Sequence, residues 1–196
     1  MKTIGLTGGI GSGKSSLLPV FIAENIPVFE ADKVAKELQE EELKPELIKH
    51  FGASLYASGR LDRKALATLV FQDSTKLELL NSLVHPAVAK AFEVFKNHHK
   101  EASLVVKEAA ILFETGGAAT CDYTILITAP KAARIARVHQ RDGLDKGAVE
   151  ARMAQQWPDE KKIPLADFVI QNEDLARAKA DLKRVLSALK GDKLSS

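Results

Sequence analysis

Five short, β-rich apolar stretches recur along the chain, at residues 2–7, 26–29, 103–106, 123–128 and 168–170, and helical periodicity fills the intervals between them. Strands that alternate with helices predict a parallel sheet with helices on both of its faces. Ligands of such sheets sit outside the carboxyl ends of the strands. Chemistry-bearing side chains are therefore expected just after each apolar stretch.

The interval between the second and third stretches is too long for one crossover. It reads as helices at 33–39, 43–51, 63–71, 74–84 and 86–99, an inserted helical subdomain, with Pro86 at the first position of the last helix, where proline is tolerated. Residues 130–156 form a further helical stretch rich in arginine. Residues 175–189 predict an amphipathic helix whose Lys and Arg face water, and 191–196 are expected to fray. No internal repeat or low-complexity linker interrupts this order.

The first strand runs into residues 8–15, GGIGSGKS, and then into a helical stretch containing Pro19. Gly-x4-Gly-Lys-Ser between a strand and a helix is the phosphate-binding P-loop. Gly8, Gly11 and Gly13 let backbone N–H groups converge on a β-phosphate, and the following helix points its free N–H groups and positive end at the same anion. Lys14 suits the β- and γ-phosphate oxygens, Ser15 suits Mg²⁺, and Ser16 is a further donor to the α-phosphate. Gly9 and Ser12 complete the loop. Four fixed positions arise by chance in roughly one chain in a hundred of this length, and the strand-then-helix context lowers that further. Pro19, past the first turn, is expected to kink the helix mildly.

Composition narrows the partners. The 196 residues are 45% hydrophobic and 28% charged, with a net charge of +2 and interspersed signs, which gives no electrostatic case for nucleic acid. The one cysteine, Cys121, excludes an internal disulfide and fits a reducing compartment. Five scattered histidines make no zinc spacing, and no apolar run approaches membrane-spanning length. A cytoplasmic protein is expected.

Other groups follow from position. Asp32 comes just after the second strand, where a carboxylate would orient a substrate hydroxyl and accept its proton; it would equally cap the next helix. Arg134, Arg137 and Arg141, spaced i, i+3, i+7, share one helical face, with Arg152 one element further on. Such a cluster beside a P-loop is expected to act as a lid over the triphosphate, against the alternative of a solvated basic face paired with Asp142 or Glu150. Glu108 follows the third strand and Glu114 a short apolar run; each suits Mg²⁺-bound water, substrate or a cap. His85 reads as structural on its own. Asn172 falls after the last strand, where such folds commonly hold adenine.

Together these residues resemble the dephospho-CoA kinase family. Residues 7–15, TGGIGSGKS, are identical to the family's opening motif, and Glu30-Ala31-Asp32 stands for its Asp-Ala-Asp. Leu61-Asp62-Arg63 with Phe71, then Leu80-Asn81 and His85-Pro86, follow in the family's order. Leu112-Phe113-Glu114, the basic segment Arg134, Arg141-Asp142, Arg152 and Gln156, and residues 166–172 complete a series running from about 2 to about 188. The P-loop text is shared by many families; the ordered set is specific to this one. Two departures stand out: Glu30 replaces the first Asp, and Ala109-Ala110-Ile111 stands where many members have a Pro before the Leu-Leu-Phe-Glu run, which bears on the roles of Lys107 and Glu108.

The resemblance implies a P-loop NTPase core with a five-stranded parallel sheet (1–31, 101–133 and 157–196), a helical CoA-binding insertion (32–100) and a helical lid (134–156). It implies transfer of the γ-phosphoryl of ATP, with Mg²⁺, to the ribose 3′-hydroxyl of 3′-dephospho-CoA. Asp32, Lys14 and Arg141 become the expected catalytic set, with His85 and Glu108 as further substrate candidates beside Asp32. The competing readings are another small-molecule kinase on the same core, which acceptor screening separates, and a nucleotide switch. A GTPase switch would carry Asp-x-x-Gly and Asn-Lys-x-Asp, and neither occurs.

Overall fold

The computed structural model describes residues 1–191; of the stretch 191–196 expected to fray, only Gly191 falls within them and it is helical, while 192–196 lie outside them. Five strands, β1 (Lys2–Thr7), β2 (Val28–Glu30), β3 (Leu104–Glu108), β4 (Tyr123–Thr128) and β5 (Phe168–Gln171), form one sheet in the order β2-β3-β1-β4-β5. β1 runs parallel to β3 and β4, and β4 to β5. Residues 3–7 of β1 are all buried, as expected for a central strand covered on both faces. Chain order reverses beside β1, and the loop after β1 therefore opens at the sheet's topological switch point.

The chain forms two compact units. One comprises Met1–Phe29 and the chain from His99 onward; the other is Glu30–His98. In the first, α1 (Lys14–Ala23) and α9 (Leu175–Gly191) share a core with the sheet, built on Ile4, Leu6, Leu17, Phe21, Ile125, Ile127, Leu182 and Leu186. α1 runs unbroken through Pro19. The basic stretch forms two helices, α6 (Lys131–Asp142) and α7 (Lys146–Met153). Gly143, with φ 68°, ends α6, and the Asp145 side chain caps α7 by accepting from Ala148 N. A short helix, α8 (Asp159–Lys162), leads into β5.

The second unit holds α2 (Ala31–Glu40), α3 (Lys44–Phe51), α4 (Arg63–Phe71) and α5 (Ser74–His98), around Leu43, Leu47, Leu55, Tyr56, Leu61, Leu66 and Val84. The two helices expected at 74–84 and 86–99 are a single helix of 25 residues with Pro86 inside it, so Pro86 does not open a helix. Pro86 removes only the N–H that would bond the Ser82 carbonyl. Leu80, Leu83 and Val84 before it, and Ala87 and Val88 after it, pack into the same core on both sides of the proline. Arg63 fastens the C-terminal end of α2, donating to Lys36 O at 2.9 Å, Gln39 Oε1 at 2.7 Å and Glu40 Oε1 at 2.9 Å. A cation there satisfies a terminal carbonyl and complements the helix dipole.

Candidate active site

The register brings the expected residues of the first unit to one edge. Leu6 pairs with Glu108, Thr7 with Leu126, and Thr128 with Gln171, so the P-loop leaves β1 beside the end of β3. Asn172 directly follows β5, its N–H bonded to Thr128 O at 2.7 Å. Lys14 is buried at the start of α1; its Nζ donates to Gly8 O at 2.6 Å and lies 3.6 Å from Glu108 Oε1. Glu108 is thus the carboxylate beside the P-loop lysine, while Lys107, on the opposite face of β3, reaches Thr120 Oγ1 at 3.5 Å. The loop that lacks the usual proline is tied to β1 by Ala109 N to Leu6 O (3.1 Å) and Thr7 Oγ1 to Ala110 O (3.4 Å). Ser15 and Ser16 are exposed at the N-terminus of α1, where the first N–H groups of a helix remain available to an anion.

The P-loop glycines serve close packing as well as bending. Gly13 has φ 90°, and a Cβ there would collide with the Asn172 amide. A Cβ on Gly9 would collide with the Arg134 guanidinium. The partners of these glycines were not legible in the sequence. Asn172 is 2% exposed and its Nδ2 donates to Ser12 O at 2.8 Å, so it braces the P-loop backbone. Ser12 Oγ and Asn172 Oδ1 are buried and have no hydrogen-bond partner among the described residues.

The three arginines of α6 do different things. Arg134 is buried; its Nε donates to Ile10 O at 2.9 Å and its Nη1 to Asp159 Oδ2 at 3.2 Å. Arg137 donates to Asn172 O at 2.7 Å and to Gly11 O and Ser12 O at 3.4 and 3.3 Å. Both therefore hold P-loop carbonyls, while Arg141 is exposed and grips Asp142 with two hydrogen bonds of 2.7 and 2.9 Å. The hydrogen bonds and charge of Arg141 hold the Asp142 carboxyl below the ordinary aspartate value of 3.8. A lowered pKa means that the pair is intact above the ordinary range and is lost only as pH falls through the lowered value. In a carboxyl-carbon NMR titration Asp142 is expected to titrate at lower pH than it does in an Arg141→Ala variant; coincident curves would remove the pair.

Glu114 does not face the P-loop lysine. Its Oε1 accepts from Trp157 N at 3.0 Å and lies 2.9 Å from Nζ of Lys162, which is fully buried. In the second unit, Asp32 is exposed in the first turn of α2, one residue past the N-terminal position of that helix, where the dipole favours a carboxylate. It is not the N-cap residue, which is Glu30. His85 is exposed in the middle of α5.

A P-loop at the switch point of a five-stranded parallel sheet, with arginines from the helix after β4 bonded to the loop, defines a P-loop kinase. A shikimate kinase from Bacteroides thetaiotaomicron shares the fold, with a TM-score of 0.51 at 15% identity over 96% of this chain and 98% of that one. The dephospho-CoA kinase family model matches residues 2–177, and the chain belongs to that family. A dephospho-CoA kinase from Salinibacter ruber is 41% identical over 93% of this chain and 96% of its own. A crystal structure of a Thermus thermophilus protein superposes with a TM-score of 0.85 at 38% identity, covering 96% of this chain and 97% of that one.

Proposed function

We propose that this protein transfers the γ-phosphoryl of ATP to the ribose 3′-hydroxyl of 3′-dephospho-CoA, giving coenzyme A and ADP, the final step of coenzyme A synthesis. The observation that carries this reading is the family match across 2–177, which takes in the P-loop, Asp32 and Asn172 in one run. In this reading the P-loop amides and the N-terminus of α1 hold the β-phosphate, and Lys14 neutralises charge on the β- and γ-oxygens. Asn172 lies beside the adenine. Arg134 and Arg137 position the P-loop, and Arg141 is the arginine free to exchange an exposed partner for the transferring group. The insertion 32–100 takes the CoA portion, with His85 among the substrate candidates. Asp32 orients the 3′-hydroxyl and takes its proton as the O3′–P bond forms and the bond from γ-phosphorus to the β–γ bridging oxygen breaks. The transition state of such transfers is loose, so orientation contributes more than base strength.

Mg²⁺ accompanies ATP in this reading. The described residues contain no cluster of three or more His, Cys, Asp or Glu side chains suited to a metal. The exposed Ser15 hydroxyl is a hard oxygen donor at the right end of α1, and Mg²⁺ commonly takes one or two protein ligands and completes its shell with phosphates and water. Bound there with Ser15 as a protein ligand, it would supply positive charge to offset that of the triphosphate. No described helix is long and apolar enough to cross a membrane, and a cytoplasmic location belongs to the same proposal.

The test is direct. Purified protein with Mg-ATP and 3′-dephospho-CoA is expected to give CoA and ADP in equal amounts by mass spectrometry, and EDTA is expected to abolish both. ADP without CoA, or no turnover, would discard this acceptor and direct the work to a panel of other hydroxyl acceptors.

A further inference from the structure

Ile10, in the middle of the P-loop, is held at both of its backbone polar groups by side chains. Its N–H donates to Gln156 Oε1 at 2.8 Å, and its C=O accepts from Arg134 Nε at 2.9 Å. Arg134 is in turn held by Asp159 Oδ2 at 3.2 Å, with both side chains largely buried. Gln156 lies on the short stretch between α7 and α8, and Asp159 is the first residue of α8. That stretch is tied down from below: Trp157 N donates to Glu114 Oε1 at 3.0 Å, and the same oxygen lies 2.9 Å from Lys162 Nζ. Lys162 is fully buried, and among the described residues Glu114 Oε2 and Asp159 Oδ1 have no hydrogen-bond partner.

An incompletely satisfied buried ion pair contributes little to stability, and apolar residues of similar volume often do better. Its location gives it another use. We propose that Gln156, supported by the Glu114–Lys162 pair, is a positioning residue for the nucleotide site. The pair fixes the stretch 156–159, and that stretch sets the backbone at Ile10. The amides that follow, from Gly11 to Ser15, are thereby aimed before any phosphate arrives. Preorganised donors bind an anion more tightly because no free energy is then spent on ordering them. Gln156 also lies three residues past the end of α7, with its N–H on Met153 O at 3.1 Å, so a displacement of α7 is transmitted to Ile10.

The proposal rests on nucleotide binding at the P-loop and not on the identity of the acceptor. Gln156→Met keeps the length of the side chain and removes the acceptor. Mg-ADP titrated calorimetrically is expected to bind about tenfold more weakly to this variant, the scale of one half-buried N–H left unpaired. In steady state the KM for ATP is expected to rise while the KM for the acceptor holds. Glu114→Gln combined with Lys162→Met removes both charges of the pair together, so no lone buried charge remains to unfold the protein. Its loss of ADP affinity and that of Gln156→Met are expected to be less than additive, since both act through Ile10. Equal ADP affinity in wild type and Gln156→Met would overturn the proposal, as would fully additive losses or a rise in both KM values together. A wild-type protein that bound no Mg-ADP would overturn the nucleotide-site reading itself.

Discussion

Replacing Lys14 by alanine is expected to lower turnover by roughly 10²–10³-fold, the scale seen when one preorganised charge-stabilising donor is removed from an active site. The structure adds a consequence for stability. Lys14 Nζ lies 3.6 Å from Glu108 Oε1, and each side chain is only 10% exposed. Removing the ammonium leaves the Glu108 carboxylate in a poorly solvated place without that counter-charge, and breaking a buried pair in this way costs about 3–5 kcal/mol. Lost activity and lost stability therefore need to be separated. Lys14→Met combined with Glu108→Gln removes both charges at once. This double variant is expected to regain thermal stability relative to Lys14→Ala, measured by circular dichroism, and to stay inactive. Recovery of turnover together with stability would mean that Lys14 serves the fold and not the phosphates.

Asp32→Asn is expected to lower turnover by roughly 10²–10⁴-fold, the range for loss of a positioned proton acceptor, with ATP affinity nearly unchanged. The side chain is exposed in the first turn of α2, so exchanging its carboxylate for an isosteric amide disturbs no core. Asparagine still hydrogen-bonds a hydroxyl but takes no proton from it. The expected signature is a fall in kcat and in kcat/KM for the acceptor, with Mg-ADP binding preserved in a calorimetric titration. Collapse of nucleotide affinity with normal acceptor binding would make Asp32 a structural residue.

Strand positions were read well where a strand is buried on both faces. β1 and β4 fall at the residues expected from their apolar runs, while β2 and β3 are displaced by two residues or fewer at either end. The P-loop was recognised because its glycines, lysine and serine act through local backbone geometry, and local geometry is written in adjacent residues. Helix continuity at Pro86 was not readable, because the cost of an internal proline is local whereas the compensation comes from a core that spans both sides of it. The arginines of α6 share a spacing and were expected to share a role. Their partners divide them: Arg134 and Arg137 bond P-loop carbonyls more than a hundred residues away in sequence, while Arg141 pairs with its neighbour Asp142. Within the charged run 159–162, DEKK, Lys162 is fully buried against Glu114, a placement nothing in the run itself signals.

By itself the sequence determined the parallel α/β architecture, the phosphate loop and the family. Each rests on periodicity, on glycine placement or on an ordered series of short motifs, and none requires knowing what a side chain touches. The tertiary structure decided how the loop is held: Asn172 and Arg137 on its carbonyls, Gln156 and Arg134 on Ile10, Glu108 beside Lys14. The physical reason is that long polar side chains take their partners from whatever the fold brings within about 3 Å. Those partners come from elements that only the packing of the sheet assembles.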